Sequence, residues 1–393
     1  MGLSGVLARA AARHAHALVV EVPGWWRTRV EVEHAVLARG WQLAPSPADA
    51  DVLVVCGVPG RGLRDAVELV WHQMPGPRVR VEVQGPEEAA VRLDEAHARL
   101  LDTARHRDDA LRRPDAEELL ARVDGDGEEH EDHDDHGHGD HEDHEDYGHA
   151  DHEDHEDHGH ADHGGHGDHG DMEMAPGGIP LAEGGPDRDG LEMDVLTVRL
   201  GPVLPHWPAG LVLHCSLQGD VVGSARAELL DATGDLQNAA DGPARRLDRV
   251  ASVLALAGWD DAAGEARRVR DAILDGGPEP TDAMLARLRR KVCRSWVLRR
   301  SLRGLRPLDE DDIDHHGLPV SAVGDSYDRL TRMLDRAVVA GDPPGHESGP
   351  AISTDHLAHL VTGLDLATAR LVVAGLDVHD LRAGQVEHEV AHG

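Results

Sequence analysis

The spacing of hydrophobic and polar positions changes period several times before residue 90. HALVVEV (16–22) is an apolar run of strand length. TRVEVEHAVLARG (28–40) has helical spacing and stops at Gly40, a residue suited to a left-handed C-terminal cap. DVLVVCG (51–57) is a second buried run, interrupted by Gly57, Pro59 and Gly60. LRDAVELVWHQM (63–74) places Leu63, Val67, Val70 and Met74 on one helical face, and Pro75 ends it. RVRVEV (78–83) alternates as a strand does. The order strand, helix, strand, helix, strand predicts an α/β domain over 1–123, built on a parallel sheet with right-handed crossovers. The polar helical stretch 86–123 leads out of it.

Patterning resumes after residue 176. MDVLTVRLGP (193–202) and AGLVLHCSLQGDVVGSARAELL (209–230) read as strands with a turn at Gln218-Gly219-Asp220. The segments 243–258, 260–274, 281–305 and 327–341 are helical by periodicity, and 366–390 joins a helix to a strand. Residues 176–393 are therefore expected to form an α+β domain that opens with a β-hairpin and continues as a helical bundle.

Between the two lies a segment with no such pattern. The chain has 393 residues, 30 of them His, and a formal charge of −35. From Asp124 to Asp171 there are 14 His and 21 acidic residues with no Lys or Arg, so this tract holds −21 and the rest only −14. An eleven-residue repeat runs through it: HEDHEDYGHAD (141–151), then HEDHEDHGHAD (152–162), then a decayed HGGHGDHGD (163–171). Residues 124–175 are too polar and charged to bury a core, which predicts a disordered His/Asp/Glu-rich linker.

Composition narrows the function classes. A chain this acidic does not bind nucleic acid through a general basic surface. Phe is absent and Lys291 is the sole lysine. Both follow from GC-rich coding, and Trp25, Trp26, Trp207, Trp259 and Trp296 are expected to supply packing bulk in place of Phe. Cys56, Cys215 and Cys293 are far apart and form no CxxC pair, so they make neither a disulfide framework nor, alone, an iron–sulfur cluster. Cys215 and Cys293 read as small core residues. The first residues intersperse basic with small apolar side chains, unlike a secretory leader, and no apolar run reaches membrane-spanning length. A reducing cytoplasm is the expected setting, with peripheral placement on the inner face of the cell membrane through partners.

ADADVLVVCG (48–57) followed by VWHQMPGPRVRVEV (70–83) resembles the 20 kDa subunit of respiratory complex I and the small subunits of membrane-bound nickel–iron hydrogenases. The resemblance implies a flavodoxin-like sheet. That family places cluster cysteines at positions that fall near Gly24, Trp25 and Trp26, and at Gln84, Gly85, Pro86 and Glu87, so no iron–sulfur cluster is expected here. After the linker, LGPVLPHWPAGLVLHCSLQGDVV (200–222) is similar to the first hairpin of the complex I 49 kDa subunit, a relative of hydrogenase large subunits. Gly324, Asp325, Tyr327, Asp328 and Arg329 match that subunit's GD-x-YDR helix start, and 366–389 resembles its closing segment. The two His of the family's hairpin tip, which faces the quinone headgroup, fall on Leu204 and Pro208, with His206 nearby. The hydrogenase CxxC pairs that hold nickel and iron have no counterpart.

The histidine tract has its own chemistry. Neutral imidazole ligates nickel and zinc, and adjacent carboxylates favour the cation. The candidate ligands are His130, His133, His136, His138, His141, His144, His149, His152, His155, His158, His160, His163, His166 and His169. Their HxxH and HxH spacings predict several weak sites rather than one selective one. The bland alternative is a solvated acidic linker with incidental His.

Three smaller motifs are read with their structural alternatives. His388-Glu389-Val390-Ala391-His392 matches the HExxH zinc-protease pattern, but a His-rich and Glu-rich chain produces it by chance. Gly57 to Gly62 could cradle phosphate, although Pro59 lacks an N–H and a plain strand-to-helix turn explains it. Asp309, Glu310, Asp311, Asp312 and Asp314, beside His315 and His316, could hold a cation or form a solvated loop. The leading expectation is an accessory or pseudo-catalytic subunit of a complex I-like or hydrogenase-like assembly, docking to its other subunits. Alternatives are a nickel or zinc storage or delivery protein acting through the tract, and a quinone oxidoreductase subunit active only with partner cofactors.

Overall fold

The computed structural model describes residues 12–113, 183–186, 192–231, 242–276, 278–338 and 353–376. Met1–Arg113 and Ala182–Gly393 belong to one compact unit, and Pro114–Leu181 to a second that lies outside the described residues.

In the N-terminal part the elements run β1 (His16–Glu21), α1 (Trp26–Ala38), β2 (Gln42–Leu43), β3 (Val52–Cys56), α2 (Arg61–Gln73), β4 (Val79–Val83), α3 (Ala89–Leu100) and α4 (Thr103–Leu111). The four strands form a parallel sheet in the order β2-β1-β3-β4, with Val19 opposite Val54 and Val54 opposite Val81. Strand alternation divides the core. Val52, Val54 and Cys56 face α1 and α3, whereas Leu53 and Val55 face Leu63, Val67, Val70 and Met74 of α2. The sheet thus has helices on both faces, as its buried, near-continuous apolar strands require. Gly40 takes φ +74° just past α1, the left-handed cap expected of it.

Within the stretch 86–123, the described residues 86–113 depart from expectation. They are not a lead-out: α3 buries Leu93, Ala96 and Leu100 against the sheet, its polar residues lining the opposite face. Asp102 then starts α4, its carboxylate accepting from the N–H groups of Ala104 and Arg105 at 3.1 Å each.

The C-terminal part opens with β5 (Glu183–Pro186), β6 (Glu192–Leu200), β7 (Leu211–Gln218) and β8 (Val221–Leu229), an antiparallel sheet in sequential order. Gly219, at φ +64°, makes the predicted turn. Helices follow: α5 (Gly242–Leu256), α6 (Asp260–Leu274), α7 (Pro278–Arg294), α8 (Trp296–Leu302), α9 (Glu310–His315), α10 (Ser326–Val338), α11 (Thr354–Val361) and α12 (Leu366–Gly375). Leu211, Leu213, Cys215 and Leu217 of β7 pack against α9, α11 and α12, while α5, α6, α7, α8 and α10 share a second core around Leu247, Leu254, Leu288 and Leu334.

Two expectations are corrected here. The helix 281–305 is two helices, because the Ser295 hydroxyl accepts from the N–H of Leu298 at 3.2 Å and starts a new one. The acidic run at 309–314 is no loop. Asp309 and Asp312 exchange hydrogen bonds with each other's backbone N–H (2.9 and 3.1 Å), and this capping box opens α9.

Candidate functional site

The C-terminal ends of β1 and β3, where a parallel sheet of this order offers a crevice to ligands, are filled by the chain itself. After β1 the backbone turns at Gly24 (φ +87°) and brings the indole of Trp25 over Gly57, which has φ +110°. The approach is so close that a Cβ at Gly57 would collide with the ring. The β6–β7 connection closes in from the other side: Val203 packs against the β1–α2 core, and a Cβ on Gly210 would strike Pro23. At the start of α2, where the sequence admitted a phosphate cradle, the anion is the chain's own Asp231. Its carboxylate accepts from the Leu63 N–H at 3.1 Å and lies against Gly60. A helix N-terminus favours an anion, and here a side chain supplies it.

Beside this edge, α1 meets α5 and α6 through charged side chains. Arg29 donates from Nε to Glu21 at 2.6 Å, from Nη1 to Glu33 at 2.5 Å, and from Nη2 to Asp248. Arg270 donates from Nη1 to both Glu33 (2.8 Å) and Asp248 (2.5 Å), and from Nε to Asp271 at 2.8 Å. The Trp26 indole N–H adds a third donor to Asp248 at 3.0 Å, and the Arg245 guanidinium stacks 4.9 Å over the Trp26 ring. Arg270 is 1% exposed and Arg29 15%, so this is an interior cluster. Helical spacing puts Trp26, Arg29 and Glu33 on one stripe of α1. The sequence marks Trp26 only as packing bulk and does not single out Arg29 and Glu33, because Arg and Glu four apart on a helix is the ordinary signature of a solvated face.

Burial and pairing compete across the cluster. Burial alone would raise Asp248, but Arg29, Arg270 and the Trp26 N–H hold it well below the usual carboxylate range. Glu33 is likewise lowered, burial being outweighed by Arg29 and Arg270. For Glu21 burial wins over Arg29, so its carboxyl is pushed up. Burial and the nearby Arg267 guanidinium push His206, in the β6–β7 connection, down to about 4. Its backbone takes φ +61°, and the connection is pinned by Trp207 Nε1 donating to Leu211 O (2.8 Å) and Arg370 Nη2 to Pro205 O (3.0 Å). Cys56, at the end of β3, has its thiol pushed well up by burial and the carboxylate of Glu21. A thiol in that state is a poor nucleophile and a poor metal ligand.

The residues at this edge do not suit the iron–sulfur cluster that the resemblance brings to mind. The segments that would hold its cysteines follow β1 and β4 and present Gly24, Trp25 and Trp26, and Gln84 to Glu87. Trp25 and Trp26 are committed to Gly57 and Asp248. The GD-x-YDR segment proves to be a structural lock. Asp325 and Asp328 form a capping box at the start of α10, and the Asp325 carboxylate also accepts from the Gly304 N–H at 2.9 Å. Arg329, 1% exposed, donates to the carbonyls of Leu305, Arg306, Ala322 and Gly324 and to the Ser326 hydroxyl. Burial pushes it down to about 10, so it stays charged at neutral pH. A small cleft beside it is lined by Arg246, Arg332, Met333 and Arg336.

The 14 candidate His ligands at 130–169 and the HExxH segment at 388–392 lie outside the described residues. Asp309 and Asp312 are used as caps, and His316 packs edge-on against His315 and His356, with ring centroids 4.8 and 5.4 Å apart. Among the described residues no group of three or more His, Cys, Asp or Glu is arranged to hold a metal ion, and no helix is long and apolar enough to cross a membrane. Comparison with protein-family models, curated proteins and solved structures finds no match to this chain.

Proposed function

We propose that this chain is a non-catalytic accessory subunit that docks to other subunits of a complex I-like or hydrogenase-like assembly. The observation that carries the reading is the filled sheet edge. Trp25 sits on Gly57, and Trp26 and Arg29 bind Asp248, at the position where the resembled flavodoxin-like subunits seat their cluster. Ion pairs then tie the small-subunit-like part to the large-subunit-like part in one chain, which preserves the shape of a paired module while its reactive centre is replaced by packing.

Affinity capture of the full chain from native membranes tests this. Recovery of respiratory or hydrogenase subunits supports it, and recovery of none counts heavily against it. A broad iron–sulfur absorbance in the purified protein would overturn the replacement argument.

A second reading rests on the tract. Fourteen His among 21 carboxylates between Asp124 and Asp171 support nickel or zinc storage or delivery, with the folded parts as a docking platform. Metal titration of the full chain and of a variant lacking 124–171 separates the two readings.

A further inference from the structure

The sequence assigns Trp296 to packing, and the structure exposes it: Trp296 is 73% and Val297 67% exposed, side by side at the start of α8. They stand in the most basic stretch of an acidic chain. From Arg287 to Arg306 there are nine Arg and Lys and no Asp or Glu. The shared core lies behind both helices, under Leu285, Leu288 and Val292 of α7 and Leu298 and Leu302 of α8. Helical spacing therefore turns Arg287, Arg290 and Arg294 of α7, and Trp296 and Arg300 of α8, to the solvent side; these five and Arg303, the residue just past α8, are all exposed.

The flanking cations are otherwise engaged. Arg289 pairs with Asp335 at 2.5 Å, Lys291 with Glu265 at 2.9 Å, and Arg299 lies 5.4 Å over the Tyr327 ring. The five outward arginines have no ion-pair partner among the described residues. Attraction of cations to a helix C-terminus accounts for Arg294. The same attraction covers Arg300 and Arg303 at the end of α8. It does not account for Arg287 and Arg290, or for the exposed Trp-Val pair between the two helices.

We propose that this face of α7 and α8 binds an anionic lipid surface, with Trp296 and Val297 entering the headgroup region and the arginines pairing with lipid phosphates. Trp prefers that interface because its ring is apolar and its N–H is polar. Arginines keep their charge at the headgroups while their stems cover apolar surface. Nucleic acid also attracts arginines and stacks on Trp, but it offers Val297 no apolar phase. The total charge of −35 does not forbid the contact, since charges more than about 8 Å away are screened at physiological salt. The surface is separate from the filled sheet edge, so it stands or falls independently of the accessory-subunit reading.

The test is sedimentation of the full chain with vesicles of phosphatidylcholine alone or mixed with phosphatidylglycerol. Binding is expected to the anionic vesicles, with a blue shift of Trp emission and quenching by brominated lipid. Arg300→Glu with Arg303→Glu should weaken it at least about tenfold, as should higher salt. Trp296→Ala should remove the lipid quenching while leaving the far-ultraviolet dichroism unchanged, because both changes lie on exposed positions. Equal partition to neutral and anionic vesicles, or retention of binding in both variants, would overturn the proposal. So would tighter, Trp296-dependent binding to a single-stranded oligonucleotide or to polyglutamate, which would reassign the face.

Discussion

Arg270 donates from Nη1 to Glu33 at 2.8 Å, joining α6 to α1 across 237 residues of sequence. The same nitrogen reaches Asp248, and Arg29 reaches both carboxylates from the other side. The two parts of the chain are thus held together by charges that have left water, a contact that is worth little when complete and costly when broken.

Arg270→Met should lower the unfolding free energy by about 3–5 kcal/mol, because it leaves Glu33 and Asp248 short of a buried partner. In urea unfolding, the double variant with Glu33→Gln should lose less than the sum of the single losses, with a coupling of about 1 kcal/mol or more. Strict additivity would mean that the pair does not act as a unit.

The cluster also fixes an acid limit. Asp248 and Glu33 are held below their unfolded values by the two arginines, so their contribution is present above pH of about 4 and is lost as pH falls through the folded values. His206 acts earlier. Its folded value of about 4 lies below the ordinary 6.5, so the unfolded chain binds the extra proton between them and stability declines as pH drops from 6.5 toward 4. The loss from this partly buried ring is about 1–3 kcal/mol. His206→Gln should flatten that slope in denaturation midpoints collected against pH, while Asp248→Asn should flatten only the more acidic limb.

Gly57→Ala tests the filled edge. The new methyl group meets the Trp25 indole and a φ of +110° that favours glycine, so a loss of about 2–4 kcal/mol is expected. Adding Trp25→Ala should relieve the clash but not the backbone strain, giving partial recovery and reduced Trp fluorescence. Full tolerance of Gly57→Ala would show that the ring does not occupy this space in solution.

Much of the scaffold was legible because its strands are short buried runs and its helices have clean stripes. The α2 face of Leu63, Val67, Val70 and Met74 and the Gly40 cap stand where the pattern puts them. What the pattern hid was decided by partners distant in sequence. Arg29 and Glu33 carry only the ordinary i,i+4 pattern of a helix surface, and it takes Asp248 and Arg270 to bury them. Asp231 gives no local sign that it will cap α2. Trp296 shows the opposite limit: a large apolar side chain carries no mark of which way it faces when a Ser N-cap resets the helix one residue earlier.

Arg329→Lys should be nearly as damaging as Arg329→Ala. A single ammonium cannot reach the four carbonyls and one hydroxyl that the planar guanidinium binds at once. Both variants should lose about 3 kcal/mol or more, read as an earlier thermal transition in circular dichroism. Retention of full stability by the lysine variant would reduce the motif to its charge.

Metal loading should belong to the tract. Titrated with nickel or zinc, the full chain should take up several ions, and the variant lacking 124–171 should lose most of that uptake. The ligand is the neutral imidazole, so a proton competes with the metal. Apparent affinity should therefore hold above pH of about 7 and weaken steadily as pH falls through about 6.5. The neighbouring carboxylates stay ionised across that range, which makes the loss attributable to His protonation alone. If the tract alone takes up the metal, removing it with a chelator should leave the melting of the folded parts unchanged. Equal uptake by the two proteins, or uptake indifferent to pH between 5 and 8, would place the metal elsewhere.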